Sequence, residues 1–420
     1  MKILVLTLWY PHEGAPGLGA FVMHQTAALA AAGCELRVVH PLPRPPPPLR
    51  WMKRRYRDWS RLPAAEERDG IPVDHPRYVA LPRHWMHGRV GDWLAEGIAP
   101  HLESLHAQWP FEVIHAHGSY PCAYAAIRFR DERCPAVKVV ATAHRTCIVD
   151  SPRWSLRARD RVAEALRRSD HVIFVSEEGR TRGEQIAGTD LGERATVVAN
   201  GVDPTRFAGG RADDPVAARL RADHRGTFNV LFVGYLGERK GVPELLDALV
   251  DLERARPGRF RLFLVGRDEL DPDMRRRVTK LTHEGRVIAV GEVPPSEIAS
   301  WMRFADAFVL PSRSEGVPTV LFESLAIGLP GVFTRVGGTE EIVRDGREAL
   351  LIEPGSPRAI ATALLQLERD PEFARGLALR GRELVTRRYT WERNATSVSA
   401  LFAAQLGTPL LARAAAGARG

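Results

Sequence analysis

Short apolar runs alternate with helix-forming stretches along this chain, and the whole alternation occurs twice. In the first half Lys2–Leu8 reads as a strand, Ala20–Ala32 as a helix ended by Gly33, and Glu35–His40 as the next strand. Further strands are expected at Glu112–His115, Val137–Thr142, His171–Val175 and Ala195–Val198, with helices at Trp93–His106 and Arg157–Arg168. The second half places strands at Phe228–Val233, Arg261–Val265, Val287–Val290, Ala307–Leu310 and Gly331–Thr334. Helices over Pro243–Ala255, Asp273–His283, Glu297–Arg303 and Thr319–Ile327 separate them. Strands that are apolar along their length need cover on both faces, and parallel strands linked through helices receive it. The expected fold class is therefore α/β, with two doubly wound domains and a ligand in the cleft between them, beyond the carboxyl ends of the strands.

Length and composition agree. A chain of 420 residues exceeds one core of about 150 residues. An apolar fraction of 45% and a charged fraction of 26% exclude a disordered or collagen-like chain. No apolar run approaches the roughly 18 residues of a membrane span. Met1–Leu6 leads into Tyr10-Pro11-His12-Glu13 without a small-residue cleavage site, which suits an opening strand better than a signal peptide. Cys34, Cys122, Cys134 and Cys147 form no C-x-x-C pair and no zinc spacing, as expected of free thiols in the cytoplasm. The net charge is +8, and between Arg44 and Arg61 seven cations face one acid, Asp58. Within Arg50–Trp59, cations mixed with Trp51, Met52, Tyr56 and Trp59 suit an anionic headgroup layer, with the rings on one helix face. A solvated loop, or a groove for an anionic sugar polymer, is the competing reading. Nucleic acid is not an expected partner, because neither a helix-turn-helix pattern nor aromatic repeats accompany the charge.

Three motifs carry chemistry. The opening βαβ unit lacks the dinucleotide fingerprint: Gly17-Leu18-Gly19 comes too far after the strand, and no ribose-binding acid ends the second strand. Its glycines still permit close backbone approach to an anion at a helix N-terminus. Gly234-Tyr235-Leu236-Gly237-Glu238-Arg239-Lys240-Gly241 follows a strand and sets Arg239 and Lys240 ahead of a helix, where phosphate is favoured. Glu315-Gly316-Val317-Pro318 follows the strand Ala307–Leu310, with Glu323 expected two turns into the helix that Pro318 starts. Two carboxylates flanking a helix terminus suit a ligand with hydroxyls at both ends and phosphates between. His115 and His117 share a strand face, but no third metal ligand accompanies them in the sequence.

In this order, with Ile114-His115-Ala116-His117, Thr142-Ala143-His144, Asn200-Gly201-Val202-Asp203 and Val336–Ile342, the motifs resemble glycosyltransferase family 4, of the GT-B type, over nearly the whole chain. Leu8-Trp9-Tyr10-Pro11 with Gly19-Ala20-Phe21-Val22 resembles the branch that builds teichuronic acid and other cell-surface polysaccharides. The resemblance implies two Rossmann-like domains: an acceptor-side domain over 1–205 and a nucleotide-sugar domain over 206–385. A helix at 386–406 would cross back, and 407–420 would be a tail without fixed structure. It implies retaining transfer of a sugar from a nucleotide diphosphate sugar, with no cofactor and no metal, to a saccharide or a lipid-linked acceptor. The enzyme would be cytoplasmic and peripheral on the inner face of the cell membrane. Lys240 matches the lysine that holds the donor diphosphate, Glu323 the ribose ligand and Glu315 the contact to the donor sugar. His144 matches the histidine near the reacting carbon, and Gly17 and Gly19 the loop that approaches the diphosphate. Val287, Gly291 and Val293 fall where the base is held, and Gly316, Val317 and Pro318 complete the donor set.

One position departs from the pattern. Tyr235 stands where the family often has arginine, and Arg239 is the neighbouring cation that could replace the charge. A non-catalytic nucleotide-sugar binder and a GT-B nucleotide-sugar epimerase are therefore the alternatives. Acceptor-dependent release of nucleoside diphosphate separates a transferase from both.

Overall fold

The computed structural model describes residues 1–44, 54–80, 86–208 and 214–408. They form two compact units, Met1–Ala199 with the chain from Trp391 onward, and Asn200–Thr390. The division thus falls at Ala199/Asn200 rather than after residue 205. The returning segment begins at Trp391, because the preceding helix Pro371–Arg388 stays with the second unit. The tail expected from residue 407 lies, past Thr408, outside the described residues.

The first unit contains β1 (Lys2–Thr7), β2 (Glu35–Val39), β3 (Leu42–Arg44), β4 (Ala65–Arg68), β5 (Ile71–Asp74), β6 (Arg77–Val79), β7 (Val113–His117), β8 (Lys138–Ala143), β9 (His171–Phe174) and β10 (Ala195–Val197). Eight of these make one sheet in the order β10-β9-β8-β7-β1-β2-β5-β4, and β3 pairs with β6 apart from it. Only β4 runs antiparallel. Side chains alternate across a strand, so β1 sends Ile3 and Val5 to one core and Leu4 and Leu6 to another. The first core is closed by the helices Ala20–Ala31 and Trp391–Gln405 through Val22, Leu29, Val398 and Phe402. The second is closed by His87–Gln108, Tyr124–Arg133 and Leu156–Arg168 through Leu94, Ile98, Phe129 and Val162. The returning helix is tied in by polar bonds as well. Gln25 Nε2 donates to Asn394 Oδ1 at 2.6 Å, and Asn394 Nδ2 donates to the Ala199 carbonyl at 2.7 Å.

The second unit holds β11 (Phe228–Val233), β12 (Phe260–Val265), β13 (Val287–Gly291), β14 (Ala307–Leu310), β15 (Gly331–Thr334) and β16 (Leu350–Ile352), in the order β13-β12-β11-β14-β15-β16, all parallel. The helices Pro215–Asp223, Pro272–His283, Pro357–Arg369 and Pro371–Arg388 all start on proline behind a side-chain cap from Asp214, Asp271, Ser356 and Asp370. Each cap satisfies an N–H that the first turn leaves open.

Candidate active site

β11 and β14 are neighbours although the chain runs out to β13 and back between them. Strand order reverses there, which leaves a crevice past their carboxyl ends. Lys240 follows β11 and Glu315 follows β14, and the structure brings them together: Lys240 Nζ donates to Glu315 Oε1 at 2.6 Å. Ser312 Oγ donates to the same oxygen at 2.6 Å. Arg239 lies 3.8 Å from the other Glu315 oxygen and donates to the Ser314 carbonyl at 3.4 Å. The Lys240 and Glu315 side chains are only 13% and 9% exposed, so each charge depends on the other.

Backbone packing fixes both loops. Gly241 (φ +73°) starts the helix Val242–Ala255 and lies so close to the second loop that a Cβ there would sit 1.9 Å from the Pro311 carbonyl oxygen. The Gly316 carbonyl accepts from Gly338 N at 2.8 Å. Val317 is a core side chain, so only its backbone can serve a ligand. Pro318 is the N-terminal flank of the helix Thr319–Ala326, which has no side-chain cap and leaves its first N–H groups to a ligand or solvent. Glu323 is the fifth residue of that helix, just past one turn rather than two. Burial raises its carboxyl pKa, and the charge of Arg206 opposes that shift.

Gly291 ends β13 and Val293 lies half-buried just past it, both at the carboxyl edge. Val287 does not join them. It begins β13, fully buried, about 13 Å from Gly291 at 3.3 Å per residue. Tyr235 at this edge is covered by Arg267, whose guanidinium carbon lies 5.9 Å from the ring centroid. Arg267 itself pairs with Glu292 at 3.2 Å. The cation beside Tyr235 therefore comes from the end of β12, while Arg239 is directed to Glu315. Position in the sequence singled out neither Arg267 nor Ser312.

Gly17, Gly19 and His144 belong to the first unit. Gly19 (φ +65°) begins the helix Ala20–Ala31, and a Cβ there would meet the Trp9 carbonyl oxygen at 2.1 Å. Gly17 is exposed, with open space around it. His144 follows β8 and is half-buried against Phe21 and Trp9, with ring centroids at 4.8 and 5.9 Å. Its Nε2 lies 3.2 Å from His117 Nδ1. Burial lowers the His144 pKa to about 4 and that of His115 to about 3, and it holds His117 well below the usual imidazole range. His115 Nε2 is 2.8 Å from Thr142 Oγ1. Among the described residues no group of three His, Cys, Asp or Glu side chains is placed to hold a metal.

Of the basic–aromatic segment, Arg50–Lys53 lie outside the described residues. The remainder opens the helix Arg54–Arg61, where Arg57 and Arg61 are exposed. Tyr56 is buried and meets the half-buried Trp59 edge-on at 5.5 Å, so the two rings share a side of the helix but not the exposed face expected. No described helix is long and apolar enough to cross a membrane.

Two family models match the chain: "Glycosyltransferase Family 4" over residues 16–206 and "Glycosyl transferases group 1" over 227–370. A Bacillus subtilis protein named for teichuronic acid biosynthesis, the glycosyltransferase TuaC, is 30% identical over 89% of this chain and 92% of its own length. A D-inositol 3-phosphate glycosyltransferase of Frankia alni is 30% identical over 87% of this chain and 88% of its own. Among solved structures, sucrose-phosphate synthase of Thermosynechococcus elongatus superposes with a TM-score of 0.76 at 22% identity, covering 97% of this chain and 99% of that one. HepE of Anabaena, in complex with UDP-glucose, superposes at 0.73 with 19% identity, covering 96% and 100%. At these identities the two structures speak for the shared GT-B fold.

Proposed function

The chain belongs to glycosyltransferase family 4 and is a glycosyltransferase, and on that premise we propose that it transfers a sugar, with retention, from a nucleotide diphosphate sugar to a saccharide or lipid-linked acceptor in cell-surface polysaccharide synthesis. The observation that carries the donor assignment is the Lys240–Glu315 pair at the β11/β14 switch point. As the bond from sugar to phosphate breaks, negative charge grows on the diphosphate. Lys240, Arg239 and the open N-terminus of Thr319–Ala326 are the groups available to stabilise it. Glu315 then takes donor-sugar hydroxyls, and Glu323 takes the ribose. A diphosphate is already a good leaving group, so no protonating carboxylic acid is needed, and the reaction proceeds without a metal. An acceptor hydroxyl oxygen bonds to the anomeric carbon on the face that the diphosphate leaves and passes its proton to a departing phosphate oxygen, which gives retention.

The acceptor class is supported by the relative named for teichuronic acid biosynthesis. A peripheral contact with an anionic membrane is supported by the exposed Arg57 and Arg61 and by a second exposed stretch in the same unit, Arg153, Trp154, Leu156 and Arg157. A panel of nucleotide sugars in a thermal-shift assay tests the donor reading. A donor at 100 times its Kd should stabilise the protein by about 2.7 kcal/mol. Nucleoside diphosphate should be released only with acceptor present, and should still be released in EDTA. No shift with any nucleotide sugar would sink the donor site, and acceptor-independent turnover would favour an epimerase.

A further inference from the structure

The carboxyl ends of β7 and β8 carry a column of three imidazoles. His115 and His117 project from the same face of β7, with centroids 4.4 Å apart, and His117 lies parallel to His144 at 5.5 Å. His117 is 2% exposed, and its Nε2 has no hydrogen-bond partner among the described residues. With no protein acceptor at Nε2, the direction of the bond between His117 Nδ1 and His144 Nε2 follows. A neutral imidazole carries one proton. Were His144 the donor, His117 would accept at Nδ1 and carry its own proton on Nε2, as a buried N–H without an acceptor. Were His117 the donor, only a lone pair would be left unmet. Buried orphan N–H groups are the rarer and costlier of the two. The pattern repeats at His115, where Nε2 meets Thr142 and Nδ1 has no partner among the described residues.

We propose that His117 is a positioning residue: its Nδ1–H donates to His144 Nε2, which holds His144 in the tautomer protonated on Nδ1 and presents that N–H as a donor to a sugar hydroxyl. The aromatic neighbours Phe21 and Trp9 keep the His144 ring from turning over. The last step rests on the transferase reading above, whereas the tautomer does not.

Histidine-selective 15N NMR of the full chain at pH 7.5 tests it, with the His144 signals assigned by their loss in His144→Gln. Nδ1 of His144 should be the pyrrole-type nitrogen and Nε2 the pyridine-type. Asn places an amide N–H where His117 carries Nδ1, so His117→Asn should keep this signature and a kcat within about threefold of wild type. His117→Phe removes the donor, and should lose the signature and lower kcat at least tenfold with little change in donor KM. A pyridine-type Nδ1 at His144 in the wild type overturns the proposal, as does His117→Asn matching His117→Phe in both readouts. Should His117→Phe not fold, the wild-type spectrum and His117→Asn decide alone. A wild type with the expected tautomer but no transfer to any acceptor would instead overturn the transferase reading.

Discussion

Lys240 and Glu315 stand 2.6 Å apart at the ends of two adjacent parallel strands, and 75 residues of chain separate them. Removing Lys240 leaves Glu315 only the Ser312 hydroxyl and the more distant Arg239. Lys240→Ala should cut transfer by about 30- to 1000-fold, the equivalent of about 2–4 kcal/mol of lost transition-state stabilisation. Because the variant removes the shorter of the two cation contacts to the buried Glu315, it should also lower stability. Glu315→Gln keeps the shape without the charge, and should raise donor KM while the fold holds. Steady-state kinetics beside thermal melts separate the two effects. Near-normal turnover in Lys240→Ala would remove it from the diphosphate site.

Gly241 reports on the same loop through its backbone. Alanine there would have to adopt φ +73° with its Cβ 1.9 Å from the Pro311 carbonyl oxygen. Since that neighbour is backbone, the loop must move. Gly241→Ala should destabilise the second unit by about 2–4 kcal/mol. Gly17→Ala meets no atom and should cost less than about 1 kcal/mol. Urea melts of both variants check the contrast, and equal midpoints would contradict it.

Much of the fold was legible because apolar runs mark buried parallel strands. Phe228–Val233, Ala307–Leu310 and Gly331–Thr334 have the expected limits. The edge strand Ala65–Arg68 was not legible: its Ala-Glu-Glu-Arg sequence has no apolar side, and only its ladder with Ile71–Asp74 makes it a strand. The site residues were readable as types following strands. Their pairing was not, because the Lys240–Glu315 contact depends on β14 returning beside β11, and no local pattern encodes a sheet order. For the same reason Arg267 over Tyr235 was invisible, and Val287 was placed at the wrong end of its strand.

Glu323 should make the second unit less stable as pH rises. Burial raises its folded pKa above the ordinary 4.5, so the folded chain holds the proton longer than the unfolded chain does. The cost of its charge is absent below pH 4.5, grows as pH rises through the folded pKa, and is constant above it. Glu323→Gln should therefore melt higher than wild type at pH 7, with the gap closing towards pH 4.5, while nucleotide-sugar affinity falls. A variant less stable than wild type at pH 7 would contradict this.

The first unit should respond to acid. His40 and His115 are buried neutral, each with its pKa lowered to about 3 by burial. The unfolded chain takes up their protons below about pH 6.5 and the folded chain does not, so stability falls as pH drops from there towards 3. Each such ring adds about 1.4 kcal/mol per pH unit to the slope near pH 5, and the buried His117 and His144, whose pKa values are lowered in the same way, add to it. Urea melts at pH 7, 6 and 5 read that slope, and His115→Phe should lower it by about 1.4 kcal/mol per pH unit. Equal stability at pH 7 and pH 5 would show that these rings are charged in the folded chain.

Leu156 is 78% exposed and Trp154 42%, large apolar surface that a soluble face rarely leaves adjacent. Arg153 and Arg157 flank them, and Arg57 and Arg61 are exposed elsewhere in the same unit. Asp92 pairs with Arg157 at 2.7 Å and offsets part of that charge. Each cation at an anionic surface contributes about 1 kcal/mol, and interfacial rings add apolar burial. The protein should co-sediment with vesicles of phosphatidylglycerol and phosphatidylcholine at low salt, and not with phosphatidylcholine alone. Salt should release it, because the attraction is screened within about 10 Å at 0.1 M. Arg57→Glu with Arg61→Glu should weaken binding mainly at low salt. Trp154→Ser with Leu156→Ser should weaken it at every salt concentration, because the apolar term is unscreened. Arg57 and Arg61 lie on exposed positions, so that variant's melt should match wild type, whereas Trp154→Ser gives up the ring contact with His87 at 4.7 Å and should melt slightly lower. A wild type that stays in the supernatant with anionic vesicles at low salt would show that these side chains face something other than a membrane.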